Sequence, residues 1–220
     1  MNIEEIVKRR HSVRSYTDKE IEKEKVDILN NLINKINNDE NLNIQLILND
    51  NEVFDKFILH YGRLNNCKNY IALIGKKDSK LDEKLGYYGE QLVLKATELN
   101  LNTCWVGGTY KKKVVKANIN DDEKLVCIIA IGYGQTNGNS RKSKTVSDVS
   151  ISRVYPQWYQ KGVEFALLAP TALNQQKFKF EYIDDDNVRV TTKSGAFTKV
   201  DLGIVKYHFE LGANKKIYWK

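Results

Sequence analysis

Two short stretches of this chain carry side chains able to grip a small, planar, anionic ligand. Arg10–His11–Ser12–Val13–Arg14 sets two guanidinium groups and a hydroxyl within one turn. A guanidinium is a rigid fork of donors that matches a phosphate, or the polar edge of a heterocycle, with paired hydrogen bonds. A basic helix end favoured by the helix dipole accounts for the same residues, so the motif alone leaves both readings open. Ala169–Pro170–Thr171–Ala172–Leu173–Asn174–Gln175–Gln176 presents short polar side chains in a turn behind a proline. Asn174 and Gln176 each combine donor and acceptor, although an ordinary helix-to-strand loop also draws on Pro, Thr and Asn. A further basic cluster, Arg141, Lys142 and Lys144, suits a small anion, whereas Lys111–Lys113 reads as solvated surface.

The elements that must position these groups are read from periodicity. Ile3–Val7 is a short helix running into the basic turn. Thr17–Asp18–Lys19–Glu20 fits a capping box. Behind it, Val26, Leu29, Leu32, Ile33 and Ile36 recur at helical spacing, and the polar run Asn37–Asn43 is expected to end that helix. Ile44, Leu46 and Leu48 alternate as in a strand, and Tyr70–Ile74 and Val126–Ile131 read as short buried strands. Helices are expected at roughly Tyr88–Asn100, Gln157–Leu168 and Leu202–Leu211, and strands at Phe178–Ile183 and Val188–Thr192. The polar, turn-rich stretch Thr136–Ser150 is the expected connection between two lobes. Helices and strands alternate irregularly, which favours α+β over a doubly wound parallel sheet.

Composition narrows the classes. A 220-residue chain that is 41% hydrophobic can build a core, which excludes a disordered or collagen-like chain. Its three cysteines, Cys67, Cys104 and Cys127, form no CxxC or Cys/His spacing, so neither a disulfide framework nor a zinc site is expected. The N-terminus is charged from Glu4 onward and no apolar run approaches the roughly 20 residues of a membrane helix. A soluble, reducing, cytoplasmic setting is the expectation. The net charge of +7 is spread along the chain rather than gathered in a stripe with stacking aromatics, so nucleic acid is not the expected partner. His60 is placed at a helix end, His208 in packing or at the surface, and Cys104 in the core, with a reactive thiol as the alternative. Trp105 is left as either core or pocket wall.

In combination these segments resemble the FMN-dependent nitroreductase family. Its members carry an RRSxR-like turn, an APSxxNxQPW-like loop, a GLGTCWxG-like segment and a GYP-like strand end followed by basic residues. Here those stand as Arg10–Arg14, Ala169–Phe178, Leu101–Gly108 and Gly132–Lys144. The order differs from the usual pattern. The Ala-Pro loop lies more than a hundred residues beyond the place behind the first long helix that holds Asn37–Asn43 here, and Lys177 and Phe178 replace the usual Pro and Trp. Asp201–Leu202–Gly203–Ile204 resembles the entry to the Tyr88–Asn100 helix, so the chain is similar to the single-chain, internally duplicated members. The resemblance implies an α+β sheet sandwiched by helices, built as a fused, degenerate pseudo-dimer with lobes 1–150 and 151–220 sharing one core.

The resemblance also implies FMN, one per chain, and NAD(P)H plus a small-molecule acceptor such as a nitroaromatic or quinone, in a ping-pong scheme. Monomer and homodimer both stay open. Arg10, Ser12 and Arg14 would hold the phosphate, ribityl chain and pyrimidine edge, and His11 would contribute its backbone. Pro170, Thr171 and Asn174 would lie against the isoalloxazine, with Gln176 supporting the loop and Gly107 and Gly108 admitting the ring closely. Arg141, Lys142 and Lys144 are the phosphate candidates. The flavin would carry the hard step, so no catalytic acid, base or nucleophile is assigned. An FMN-binding carrier or sensor without efficient turnover is the alternative.

Overall fold

The computed structural model describes residues 1–50, 52–54 and 64–220; His60, with Tyr61 and Gly62, lies outside them. In chain order the elements are α1 (Ile3–Arg9), α2 (Lys23–Glu40), β1 (Gln45–Ile47), β2 (Tyr70–Lys76), α3 (Leu81–Glu98), β3 (Asn102–Val106), β4 (Glu123–Gly132), α4 (Val146–Val149), α5 (Gln157–Ala166), β5 (Phe178–Tyr182), β6 (Asn187–Thr192), α6 (Thr198–Ala213) and β7 (Tyr218–Trp219). Short 3₁₀ turns occupy Lys112–Val114 and Ala172–Asn174. The architecture is α+β. The chain divides into two compact units, one of 1–8, 82–90 and 141–220, the other of 9–81 and 91–140.

The unit of 9–81 and 91–140 is built on a four-stranded antiparallel sheet in the order β1-β2-β4-β3. The apolar run Tyr70–Ile74 forms most of β2 and is buried throughout. Leu125, Cys127, Ile128, Ile129, Ala130 and Ile131 of β4 are buried too, as continuous apolar runs require of strands covered on both faces. Tyr16, Tyr70, Cys104, Ile128 and Ala130 belong to one core cluster. Leu29, Ile33 and Ile36 are the buried stripe of α2.

The expected capping box at Thr17 does not start α2. Thr17 Oγ1 accepts the Lys19 N–H at 3.4 Å, and the helix begins at Lys23 after an extended Glu22. The helix also runs through Asn37 to Glu40. Asn37 escapes the usual competition with its own backbone because its side chain pairs with Ile44, donating to its carbonyl at 2.9 Å and accepting its N–H at 2.8 Å. Asn41, left-handed at φ 52°, then ends it.

The unit of 1–8, 82–90 and 141–220 packs α5 on α6 beside a sheet in the order β5-β6-β7, antiparallel then parallel. Its centre is aromatic. Phe209 of α6 contacts Phe180 at a ring-centroid distance of 4.9 Å, Trp219 at 5.4 Å and Tyr159 at 5.6 Å. Glu210, 9% exposed, binds the chain end, accepting from Tyr87 Oη (2.6 Å), Lys216 Nζ (2.9 Å) and Trp219 Nε1 (2.9 Å). Both long helices exceed their expected bounds: α3 begins at Leu81, with Asp82 and Glu83 complementing its dipole, and α6 begins at Thr198. The segment 136–150 holds one helical turn, α4, under a capping box formed by Thr145 and Asp148.

Candidate functional site

Residues 10–14 follow directly on α1. Ser12 forms a parallel bridge with Thr103 of β3, and the Val13 N–H donates to the Thr103 carbonyl at 3.0 Å. Val13 is buried, and the Tyr16 hydroxyl donates to its carbonyl at 2.8 Å. Gly138, at φ +79°, lies against the segment; a Cβ there would fall 2.7 Å from that of His11. The sequence-predicted basic turn is therefore an added edge on β3. Arg10 is 6% exposed, His11 and Ser12 are half-buried, and Arg14 is exposed. His11 Nδ1 donates to the Arg9 carbonyl at 3.0 Å.

The same edge explains Cys104. Burial pushes its thiol up, opposed by the guanidinium groups of Arg14 and Arg10 and by a Ser12 hydrogen bond. The thiol stays protonated near neutrality, in keeping with a core role. Gly107 and Gly108 leave the end of β3, and a Cβ on Gly108 would have no heavy atom within 4 Å.

In the other unit, Arg141–Lys144 and the loop 167–176 are knitted together. Arg141 donates to the carbonyls of Ala169 and, at 3.5 Å, Leu167. Lys144 Nζ donates to the carbonyls of Gln176 (2.6 Å) and Gln175 (3.3 Å), and its N–H to Gln176 Oε1 (2.9 Å). Gln176, 2% exposed, donates through Nε2 to Ser143 Oγ and to the Leu167 carbonyl, both at 3.0 Å, while its own N–H reaches Thr171 Oγ1 at 3.1 Å. Asn174 Nδ2 donates to the Lys142 carbonyl at 2.7 Å.

These contacts hold a backbone that open chain rarely adopts. Leu173, Asn174 and Gln176 have φ of 52°, 53° and 44°, a left-handed conformation unfavourable for residues with a Cβ and sustained only where the surroundings over-determine it. Pro170 and Thr171 are buried beneath the turn and Leu173 is 69% exposed on it. Asn174 Oδ1 has no hydrogen-bond partner.

The structure thus brings together two of the predicted sets. Arg10, His11, Ser12 and Arg14 meet the strand leading to Gly107 and Gly108. Arg141, Lys142 and Lys144 meet Pro170, Thr171, Asn174 and Gln176. Sequence reasoning had treated Asp201 only as a helix entry. Its Oδ1 accepts the Ala172 N–H at 2.8 Å, and its Oδ2 is buried without a partner. The signal for it lay in an acidic residue ahead of an apolar helical run. Ser143 and Gln175 (Nε2 to the Ala172 carbonyl, 2.9 Å) were missed as well.

Asp201 is pushed up from 3.8 to about 7, by burial above all, against the Ala172 N–H and the charges of Arg141 and Lys177. Between those values the folded chain holds a proton that the unfolded chain has lost. Its contribution to stability is therefore complete below about pH 4 and lost as pH rises through about 7. Urea melts of the wild type and Asp201→Asn should diverge accordingly. The wild-type stability relative to the variant should fall by on the order of 2–4 kcal/mol between about pH 4.5 and 7.5. A difference that does not vary with pH would rule this out.

With this geometry in hand, comparison with known proteins is informative. A protein-family model described as "Putative TM nitroreductase" matches residues 2–213. A solved structure from Thermotoga maritima, described as a "putative nitroreductase", aligns over 98% of this chain and 87% of its own, with 24% identity and a TM-score of 0.72. A nitroreductase family protein of Streptococcus pneumoniae aligns over 69% of this chain and 100% of its own (15% identity, TM-score 0.56). A Desulfovibrio desulfuricans protein, described as a "putative nitroreductase in complex with fmn", aligns over 71% of this chain and 99% of its own (18% identity, TM-score 0.54). At such identities the structural likeness is one of fold. No curated protein matches the chain.

Proposed function

The chain belongs to the nitroreductase family, whose members are oxidoreductases, and on that premise we propose that it is an FMN-dependent NAD(P)H oxidoreductase. The observation that carries this reading is the turn 173–176, left-handed at Leu173, Asn174 and Gln176, over-determined by side-chain hydrogen bonds and holding Asn174 Oδ1 buried and unsatisfied. A rigid, strained turn with an unmet acceptor suits a planar ring carrying N–H donors.

The residues present fit FMN in further respects. Arg10, Ser12 and Arg14, with the His11 backbone, supply donors for its phosphate, ribityl chain and pyrimidine edge. Gly108 is exposed, with no heavy atom within 4 Å of a Cβ placed there, so its backbone is open to the ring that it and Gly107 would admit. Pro170 and Thr171 floor the turn and Gln176 braces it. Of the three basic phosphate candidates, Arg141 and Lys144 place their charged heads on loop carbonyls, which leaves Lys142 as the favoured one. Bound FMN supplies hydride transfer, from NAD(P)H and then to a nitroaromatic, quinone or similar acceptor in a ping-pong scheme. The chain's own part is to bind, orient and exclude water, with donors such as Arg14 stabilising charge at the pyrimidine edge. The proposed stoichiometry is one FMN per chain, in keeping with a fused duplication whose lobes are 1–150 and 151–220, in a soluble cytoplasmic protein.

Arg10→Ala and Asn174→Ala should each weaken FMN binding roughly ten- to hundredfold, the cost of a lost charge-assisted or buried hydrogen bond. Flavin-fluorescence titration measures this, and wild-type affinity in both variants would reject the assignment. Two FMN bound per chain in a calorimetric titration would reject the stoichiometry. Anaerobic NADH or NADPH should bleach the flavin band of the loaded protein; a band that persists would instead mark a carrier or sensor.

A further inference from the structure

A buried carboxyl is costly to maintain, and Asp201 is kept at 6% exposure with a single hydrogen-bonded oxygen. That oxygen accepts the N–H of Ala172, the residue that opens the 3₁₀ turn Ala172–Asn174. Immediately beyond Ala172 the chain enters the left-handed conformation at Leu173 and Asn174. Of the other side-chain fasteners, Gln175 Nε2 meets the same residue at its carbonyl, and the rest act elsewhere. Gln176 and Thr171 close its base, Lys144 holds the carbonyls of Gln175 and Gln176, and Asn174 holds the Lys142 carbonyl. The hydrogen bond from Ala172 to Asp201 is thus the tie that reaches the rising side of the turn from α6.

We propose that Asp201 is a positioning residue for the cofactor loop: its carboxyl fixes the Ala172 N–H and so sets the left-handed backbone of Leu173 and Asn174. The inference rests on the FMN reading above. Burial drives the Asp201 carboxyl towards neutrality while Arg141 and Lys177 favour its charge, as expected of an acid retained for a local task rather than for stability.

The tie can be cut from either end. Asp201→Ala removes the acceptor and Asp201→Asn retains one. Ala172→Pro removes the donor; it stands at the first position of the turn behind an extended Thr171 (φ −85°, ψ 152°), a backbone that proline and its preceding residue accept. Flavin-fluorescence titration should show FMN binding about tenfold weaker in Asp201→Ala and in Ala172→Pro. The double variant should be no weaker than either single one, since both remove the same bond. Asp201→Asn should lie within about threefold of wild type, a rescue that a role for the charge would not produce, while the Ala172→Pro and double-variant results exclude a role in packing alone.

Wild-type affinity in Asp201→Ala, or a double variant that loses the product of the two single effects, would overturn the proposal. Should Asp201→Ala fail to fold, Ala172→Pro decides alone: wild-type affinity there overturns it. If the wild type binds no FMN, the FMN reading fails, and amide exchange of 172–176 in the flavin-free protein tests Asp201 separately. Faster exchange in Asp201→Ala, restored in Asp201→Asn, supports the positioning role, and unchanged exchange overturns it.

Discussion

Gly203→Ala should destabilise the fold by about 3 kcal/mol or more, lowering the melting temperature by roughly 10 °C. A Cβ at Gly203 of α6 would lie 1.9 Å from the Glu83 carbonyl oxygen and 2.5 Å from the Tyr87 nitrogen. Both obstacles are backbone of α3, so no side chain can rotate away. The approach is reciprocal, for a Cβ on Gly86 of α3 would fall 2.1 Å from the Val200 carbonyl oxygen. Two helix glycines, each unfavourable for helix propensity, are retained because the backbones meet there. Gly108→Ala is the internal control. With no atom within 4 Å of the added carbon, its melting temperature should stay close to wild type. Equal melts for Gly203→Ala and wild type would show that the helices part at little cost.

Loss of the buried pair of His208 and Glu90 should be comparably severe. Both side chains are 0% exposed, with Nε2 at 2.8 Å from Glu90 Oε1 and Nδ1 at 3.2 Å from the Phe165 carbonyl. A carbonyl only accepts, so Nδ1 carries a hydrogen, and Nε2 and the carboxyl are hydrogen-bonded to each other. His208→Leu removes the Nε2 hydrogen bond to the buried Glu90 carboxyl and should cost about 3 kcal/mol. Glu90→Gln keeps a neutral hydrogen-bonding partner and should cost only about 1 kcal/mol. Urea melts of the two variants separate these values; a His208→Leu loss no larger than that of Glu90→Gln would show that this hydrogen bond contributes little.

His208 shows how far the chain could be read in one dimension. The helix that carries it is legible, but the sequence leaves it in packing or at the surface, and its partner, Glu90, lies 118 positions away, where no periodicity names it. The helix boundaries differ for related reasons. Asn37–Glu40 looks like a helix breaker until the Asn37 side chain is seen to pair with Ile44. Gly86 and Gly203 look like weak points in helices until the opposing backbones are in place.

The amino-acid sequence by itself determined five of the seven strands, all but β3 and β7, and most of the helices, because apolar periodicity and turn chemistry are local properties. It also determined the family, because four separated motifs recur in order of chemistry if not of position, and the match spans residues 2–213. What only the tertiary structure decided is how the candidate residues are held. It laid Ser12 along Thr103, turned Arg141 and Lys144 into fasteners of the loop, and put Asp201 under Ala172. Such pairings join groups tens of residues apart. They arise because buried donors and acceptors must find partners wherever the packed chain brings them, and that requirement leaves no spacing for a sequence to display.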